Sequence, residues 1–280
     1  MEEYEGTFDP RDYWERRLMA HPDIPGVGYL GRSLLFVEQQ YRSRMRQVEL
    51  ALRSNGLTNL AERSVLDIGS GTGIWMNFWH QHGASRVAGL DCAQPSIDRL
   101  RTEYPDDLIV QCDVSVVPLP LPDTMRFDVI SAFDVLLHIV DPEGLRRTIA
   151  NLAYHCLPGG WLIISDPIVQ GKGYVPVRSY AIHNKVRLLA EYREVLEEHG
   201  FIIESIRPAT VLLNNPLEAS NRMAFLALSA WWKATELWGH FNMLVNLLGS
   251  SMIKADQVAC RACSNVYSPC PKIILARKLD

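Results

Sequence analysis

The sequence lacks an uncharged apolar run long enough to span a bilayer, which takes about 20 residues. The nearest approach, Met223 to Leu248, is interrupted by Lys233, Glu236 and His240. It also lacks a basic excess: 28 basic against 32 acidic side chains leave a formal charge of -4. A phosphate backbone needs clustered Lys and Arg, so nucleic acid is not the expected partner. Met1-Glu2-Glu3-Tyr4-Glu5 is acidic where a secretory leader is basic, and no apolar segment follows; the expected location is cytoplasmic. Regular cysteine spacing is missing too. Cys92, Cys112, Cys156, Cys260, Cys263 and Cys270 therefore read as reduced thiols rather than a disulfide framework. Cys260-Arg261-Ala262-Cys263 with Cys270 has no second pair nearby to complete a zinc site, so no metal is expected. No internal repeat or low-complexity tract is found.

What is present is the composition of a globular protein: 280 residues, 48% hydrophobic and 21% charged, enough for a full core. From Ser64 onward, short apolar runs alternate with helical stretches. Ser64 to Ile68, Arg86 to Asp91, Leu108 to Cys112, Phe127 to Phe133 and Trp161 to Asp166 read as buried strands. Ile74–His82, Gln94–Tyr104 and Glu143–His155 read as the helices between them. Repeated β-α units of this kind imply an α/β fold, a mostly parallel sheet with helices on both faces. Upstream, residues 10–60 read as two helical stretches around a Pro/Gly loop from Pro22 to Gly31, the second helix running from about Ser33 to Ser54. Arg42, Arg44 and Arg46 read there as a solvated helix surface. Downstream come a Pro/Gly stretch to Asn184, a helix over Val186–His199 closed by Gly200, a strand from Phe201 to Leu213 with Pro208 at a bulge or edge, and a last strand from Lys272 to Arg277. The expected division is an N-terminal helical cap (1–60), a core (61–216), a helical insertion (217–250) and the final strand of the core (251–280).

The most informative segment is Val65-Leu66-Asp67-Ile68-Gly69-Ser70-Gly71-Thr72-Gly73, a strand that ends in a glycine turn and feeds a helix. Such a turn lets backbone N–H groups face a ligand at the carboxyl edge of the sheet. Its third glycine comes one residue earlier than in the dinucleotide fingerprint, and Asp67 suits an amine-bearing ligand better than a pyrophosphate. Asp91 ends the second strand, where a carboxylate can accept from both ribose hydroxyls. Cys112-Asp113-Val114 follows the third strand.

This ordered set resembles the class I S-adenosylmethionine-dependent methyltransferases over about Ser64 to Phe201. The resemblance implies a Rossmann-like, seven-stranded, mostly parallel sheet with N-terminal helices and a helical insertion before the last strand. It implies S-adenosyl-L-methionine as cofactor, with Asp67, Gly69, Ser70, Gly71 and Gly73 holding its methionine part. Asp91 and Cys92 would then lie at its ribose, Asp113 and Val114 at its adenine, and Phe133 along its other side. Leu157-Pro158-Gly159-Gly160-Trp161 resembles the family's turn into the fifth strand.

Methyl transfer from a sulfonium is chiefly a matter of alignment and dehydration, and a hydroxyl or protonated amine acceptor also gains from a base. His138, after the fourth strand, is the leading candidate base; a structural histidine bonded to backbone is the other reading. Tyr13, Trp14 and Tyr29 read as packing aromatics or acceptor contacts. Asp166 lines the pocket or caps its strand, His183 and Tyr180 sit on a lid, and Arg187 binds an anion or starts a solvated helix. Leu212-Leu213-Asn214-Asn215-Pro216-Leu217 lacks the second proline and the position of the base-amino methyltransferase motif. The expected reaction is methyl transfer to oxygen or nitrogen of a small, hydrophobic molecule. The alternatives are a rearrangement or decarboxylation that uses the cofactor without methyl loss, or a noncatalytic binding subunit. The apolar 217–248 segment suits a cap over the sheet's open end, a homodimer interface or a lipid-facing surface.

Overall fold

The computed structural model describes residues 9–176, 184–263, 269 and 271–280. Three helices come first: α1 (Pro10–Ala20), the single turn α2 (Ile24–Val27) inside the expected loop, and α3 (Leu34–Ser54). Asp9 caps α1 by accepting from the N–H groups of Arg11 and Asp12, with Pro10 in the first position, where a missing N–H does no harm. The alternating part follows as β1 (Ser64–Ile68), α4 (Ile74–Gln81), β2 (Arg86–Asp91), α5 (Gln94–Glu103), β3 (Leu108–Gln111), β4 (Phe127–Phe133), α6 (Pro142–His155) and β5 (Cys156–Asp166). The chain continues through β6 (Ile168–Val169), β7 (Arg187–Leu188), α7 (Leu189–Glu198), β8 (Phe201–Pro208), α8 (Arg222–Trp238), α9 (Asn242–Cys263) and β9 (Lys272–Lys278).

Seven strands form one sheet in the order β3-β2-β1-β4-β5-β9-β8. β1 to β5 are mutually parallel, and β9 runs antiparallel to both β5 and β8. Strand alternation divides the core into two layers. Leu66, Ile68, Ile130 and Ala132 face α6 and α7, whereas Val65, Val129 and Phe133 face α3, α4 and α5. Burial on both faces explains why these strands read as continuous apolar runs.

Several boundaries differ from the sequence reading. β5 starts at Cys156, which pairs with Phe127 before the register shifts and Trp161 pairs with Val129; the Pro-Gly-Gly turn interrupts a strand rather than preceding one. α7 starts after Val186 because Arg187 and Leu188 are extended, paired with Ile168 and Val169. β8 ends at Pro208 because Val211 and Leu212 give their N–H groups to the Asp256 carboxylate. The irregularity in β8 lies between Ile203 and Ser205, and Pro208 sits on an edge strand. Finally, α9 runs unbroken past residue 250, so the insertion extends to Cys263.

The insertion does not cover the sheet's open end. α8 and α9 lie against α3, where Trp232 meets Phe36 at 6.2 Å between ring centroids and Ser43 donates to Asp256. Among the described residues, no helix is long and apolar enough to cross a membrane.

Candidate active site

β1 is flanked by β2 on one side and β4 on the other, so the segments leaving the carboxyl ends of β1 and β4 diverge. Open α/β sheets place ligands in the crevice this creates. Here a cavity of about 320 Å³ fills it, bounded below by the glycine turn and the ends of β2, β3 and β4, and above by Trp14 and Leu18 of α1 and Val27 of α2.

The turn can be tight because its glycines take conformations other residues avoid. Gly69 has φ +65°, and a Cβ there would sit 2.3 Å from Val135 Cγ2. Gly71 has φ +53° and approaches Val27. Asp91 braces the loop: one carboxylate oxygen accepts from Gly71 N–H at 2.8 Å and the other from Ala93 N–H at 2.8 Å. Burial nevertheless pushes the Asp91 carboxyl above its ordinary value.

Asp67 lies one layer deeper. Trp79 Nε1–H donates to Ser131 Oγ at 3.0 Å, and the Ser131 hydroxyl donates to Asp67 Oδ1 at 2.6 Å. The second carboxylate oxygen, Oδ2, is buried without a hydrogen-bond partner. Burial raises the Asp67 carboxyl to about 7, a rise opposed by the Ser131 and Ser70 hydroxyls and assisted by Asp91. Gly69, Ser70, Gly71, Asp91, Cys92, Asp113, Val114 and Phe133 all border the cavity, whereas Asp67 and Gly73 do not. Asp113 Oδ1 accepts from the N–H and hydroxyl of Ser115, and Phe133 stacks on Trp75 with centroids 3.9 Å apart.

His138 borders the same cavity, its ring edge-on to Trp14 at 5.0 Å. Trp14 in turn carries the Arg17 guanidinium over its ring at 5.3 Å, while Arg17 holds the carbonyl groups of Gly26 and Gly28, so α1 and α2 form one roof.

The other candidates lie apart. Tyr13 is outside the lining and bonds Arg17. Tyr29 donates to Asn214 and lines a smaller cavity of about 50 Å³ that shares Tyr41 and Asp134 with the larger one. Asp166 is fully buried, accepts from Tyr192 at 2.7 Å and is raised by burial to about 8. Arg187 is not solvated: it is 1% exposed, lies within electrostatic reach of Asp166 and donates to the carbonyl groups of Leu136 and Ile139. It thereby clamps the turn that carries His138. Tyr180 and His183 lie outside the described residues.

The sequence reading missed Arg44 and Asp134. Arg44 is buried rather than solvated, and its guanidinium forks onto both carboxylate oxygens of Asp134. Asp134 borders both cavities and has φ +58°, an uncommon conformation for a residue with a side chain. Its N–H is held by the Ser165 carbonyl at 2.8 Å.

A family model described as a methyltransferase domain matches residues 37–206. The ubiquinone biosynthesis O-methyltransferase of Neisseria meningitidis serogroup C (strain 053442) is 29% identical over 125 residues, 43% of this chain and 51% of that protein. The protein of the same description from Paracidovorax citrulli (strain AAC00-1) is 34% identical over 116 residues, 40% of this chain and 46% of that one. The chain thus matches about half the length of these curated relatives. Among solved structures, the [4+2]-cyclase SpnF is similar with a TM-score of 0.52 at 19% identity, covering 84% of this chain and 80% of that one. An S-adenosylmethionine-dependent methyltransferase from Mesorhizobium loti gives 0.50 at 18% identity, covering 81% of this chain and 96% of that one. At such identities the likeness speaks for the fold alone.

Proposed function

Because the chain belongs to the methyltransferase-domain family, we propose that it binds S-adenosylmethionine in the larger cavity and methylates an oxygen or nitrogen of a small, apolar molecule. One observation carries this reading: a single cavity joins the glycine turn and strand-end carboxylates on one side to a largely apolar roof on the other. The residues present fit the cofactor. Asp67, one layer beneath the cavity lining with Oδ2 unpartnered, sets a carboxylate behind the glycine turn that favours an ammonium group in the cavity. The two Asp91 oxygens, each accepting one N–H, keep lone pairs for a ribose diol. Asp113 and Val114 border the same cavity on the adenine side. When bound, the cofactor supplies a methyl group activated on sulfur for in-line displacement.

The chain's own contribution is placement, exclusion of water and handling of one proton. Trp14 and Leu18 close the acceptor side against solvent, which suits a hydrophobic acceptor and strengthens polar contacts inside. His138 borders that wall and is the proposed base, imidazole being the side chain most often used for proton transfer. The curated relatives are O-methyltransferases by description, which favours a hydroxyl as the acceptor. The direct experiment incubates the protein with S-adenosylmethionine and a panel of apolar phenols, alcohols and amines and measures S-adenosylhomocysteine formation. Turnover with a hydroxyl or amine acceptor is expected. Tight cofactor binding with no turnover across the panel, but with chemical conversion of an acceptor, would instead establish a non-methylating use of the cofactor. His138→Ala should lower turnover by about 10²–10⁴-fold, the usual worth of a base, with cofactor affinity unchanged; an unaltered rate removes His138 from that role.

The Asp67 assignment has a proton signature. A carboxyl raised to about 7 is largely protonated at about pH 6, and an adjacent ammonium favours its ionised form. Cofactor binding should therefore release up to about one proton near pH 6, with less release and tighter binding as the pH rises past 7. The same shift acts on folding with the opposite sign: the ligand-free protein binds this proton more tightly than the unfolded chain, so stability falls as pH rises from about 4 through about 7. Calorimetry in buffers of different ionisation enthalpy measures the release. Proton release that persists in Asp67→Asn would assign it to another group.

A further inference from the structure

The helical insertion turns a strongly apolar surface outward. Leu237 and Met243 are each 78% exposed, Leu247 is 74% and Phe241 is 59%, all within the short span where α8 gives way to α9. Met223 and Leu226 continue this surface along α8. Leu34 adjoins it, because Ser33 N–H donates to the Gly239 carbonyl at 3.1 Å and brings the start of α3 to the corner. Isolated exposed apolar residues are ordinary, whereas a contiguous set this large marks an interaction surface.

Its charge indicates the partner. Residues 222–263 carry four cations, Arg222, Lys233, Lys254 and Arg261, all exposed, in a chain whose net charge is -4. One of the two carboxylates of the same segment is withdrawn from the outer face: Asp256 is buried and accepts from Ser43, Val211 and Leu212, whereas Glu236, its side chain 56% exposed, stays there and meets Arg32 at 3.4 Å. Along α9, Met243, Leu247, Lys254, Val258 and Arg261 follow one exposed helical stripe. Apolar residues thus lead at the corner and cations follow behind them. We propose that α8 and α9 form a docking face for an anionic lipid surface, with the Leu237–Leu247 corner immersed among the acyl chains and the cations at the headgroups.

Interfacial helices combine an apolar edge with Lys and Arg in this way, and each cation near an anionic leaflet strengthens the attachment. A second copy of the chain is a poorer occupant. A two-fold contact lays the patch on itself and offers its exposed cations only the exposed carboxylate of Glu236, whereas lipid headgroups supply many anions. On its inner side α8 reaches the smaller cavity: Tyr29, whose ring packs on the buried Trp232 at 5.2 Å, lines it beside Asp134. The docking itself does not depend on the reaction.

The test is sedimentation of the whole chain with vesicles of phosphatidylcholine alone or mixed with phosphatidylglycerol. The bound fraction should rise at least about fivefold with the anionic lipid and fall when salt screens the charges. The triple substitution Leu237→Ser, Phe241→Ser, Leu247→Ser, all at exposed positions, should abolish binding while circular dichroism and cofactor affinity stay unchanged. Lys233→Glu with Lys254→Glu, which leaves the apolar corner intact, should abolish it as well. Equal sedimentation with both vesicle types, or binding that survives both variants, would overturn the proposal. So would a lipid-free dimer, seen by analytical ultracentrifugation, that the triple variant dissolves.

Discussion

Asp91→Ala is expected to weaken binding of S-adenosylhomocysteine by about 100-fold or more. A carboxylate at the end of β2 stands to accept from ribose hydroxyls, and hydrogen bonds to a charged group contribute about 1.5–3 kcal/mol each. Losing even one such pair of bonds therefore exceeds the 1.4 kcal/mol that makes a tenfold change in affinity. The substitution also withdraws the acceptor for Gly71 N–H and Ala93 N–H, so the glycine turn loses its brace as well as its ligand contact. Asp91→Asn separates the two effects: one acceptor oxygen remains, and about half of the loss should return. Titration calorimetry reads both variants, with circular dichroism to verify folding, and wild-type affinity in Asp91→Ala would contradict the ribose assignment.

Arg44→Met is expected to destabilise the protein, because it breaks the ion pair with Asp134. Truncating one member of a buried ion pair leaves the other charge uncompensated, which costs about 3–5 kcal/mol when both are fully buried. The Arg44 side chain is 10% exposed and the Asp134 side chain 33%, so water relieves part of that penalty and about 2 kcal/mol is the expected cost. Asp134 also needs its backbone held at φ +58°, and with the guanidinium gone that conformation loses its side-chain support. Arg44→Met with Asp134→Asn should recover stability, because no buried charge is then left alone. Turnover should fall in both, since Asp134 borders both cavities. Thermal unfolding of the two variants distinguishes the outcomes; equal stability of the single variant and wild type would show that the pair adds nothing to the fold.

Most of the sheet was legible because its strands are buried on both sides. A stretch such as Trp161–Ile164 of β5, buried at every position, leaves a continuous apolar run that no solvent-facing residue interrupts. The glycine turn and Asp91 were legible for a related reason, since a tight turn and a strand-end acid constrain residue type locally. The insertion was harder. Its apolar spacing announces helices, but spacing along a helix does not say whether the apolar face meets a neighbour or solvent. α3 shows what was overlooked. Phe36 and Val37 begin its buried stripe and Val48, Ala51 and Leu52 finish it, while Gln40, Ser43, Arg44 and Gln47 occupy the same stripe between them. Polar residues at positions where helical period requires burial are partnered inside the protein. Reading Arg44 by that period, instead of with Arg42 and Arg46, would have pointed inward. Arg187 had no such signal, because its partners are main-chain carbonyl groups supplied by a distant turn.

The position of β9 bears on how the molecule is put together. It lies between β5 and β8 and bonds to both, yet α8 and α9 separate it in sequence from β8. The strands that carry the glycine turn, Asp91 and Asp134 can pair in order of synthesis. β8 cannot: its partner emerges only after the whole insertion has been made, and until then the strand presents an open edge of the kind that recruits other chains. Completion of the sheet is therefore a late, long-range closure, and growth of the nascent chain reaches the ligand-binding half of the fold well before the half that seals it.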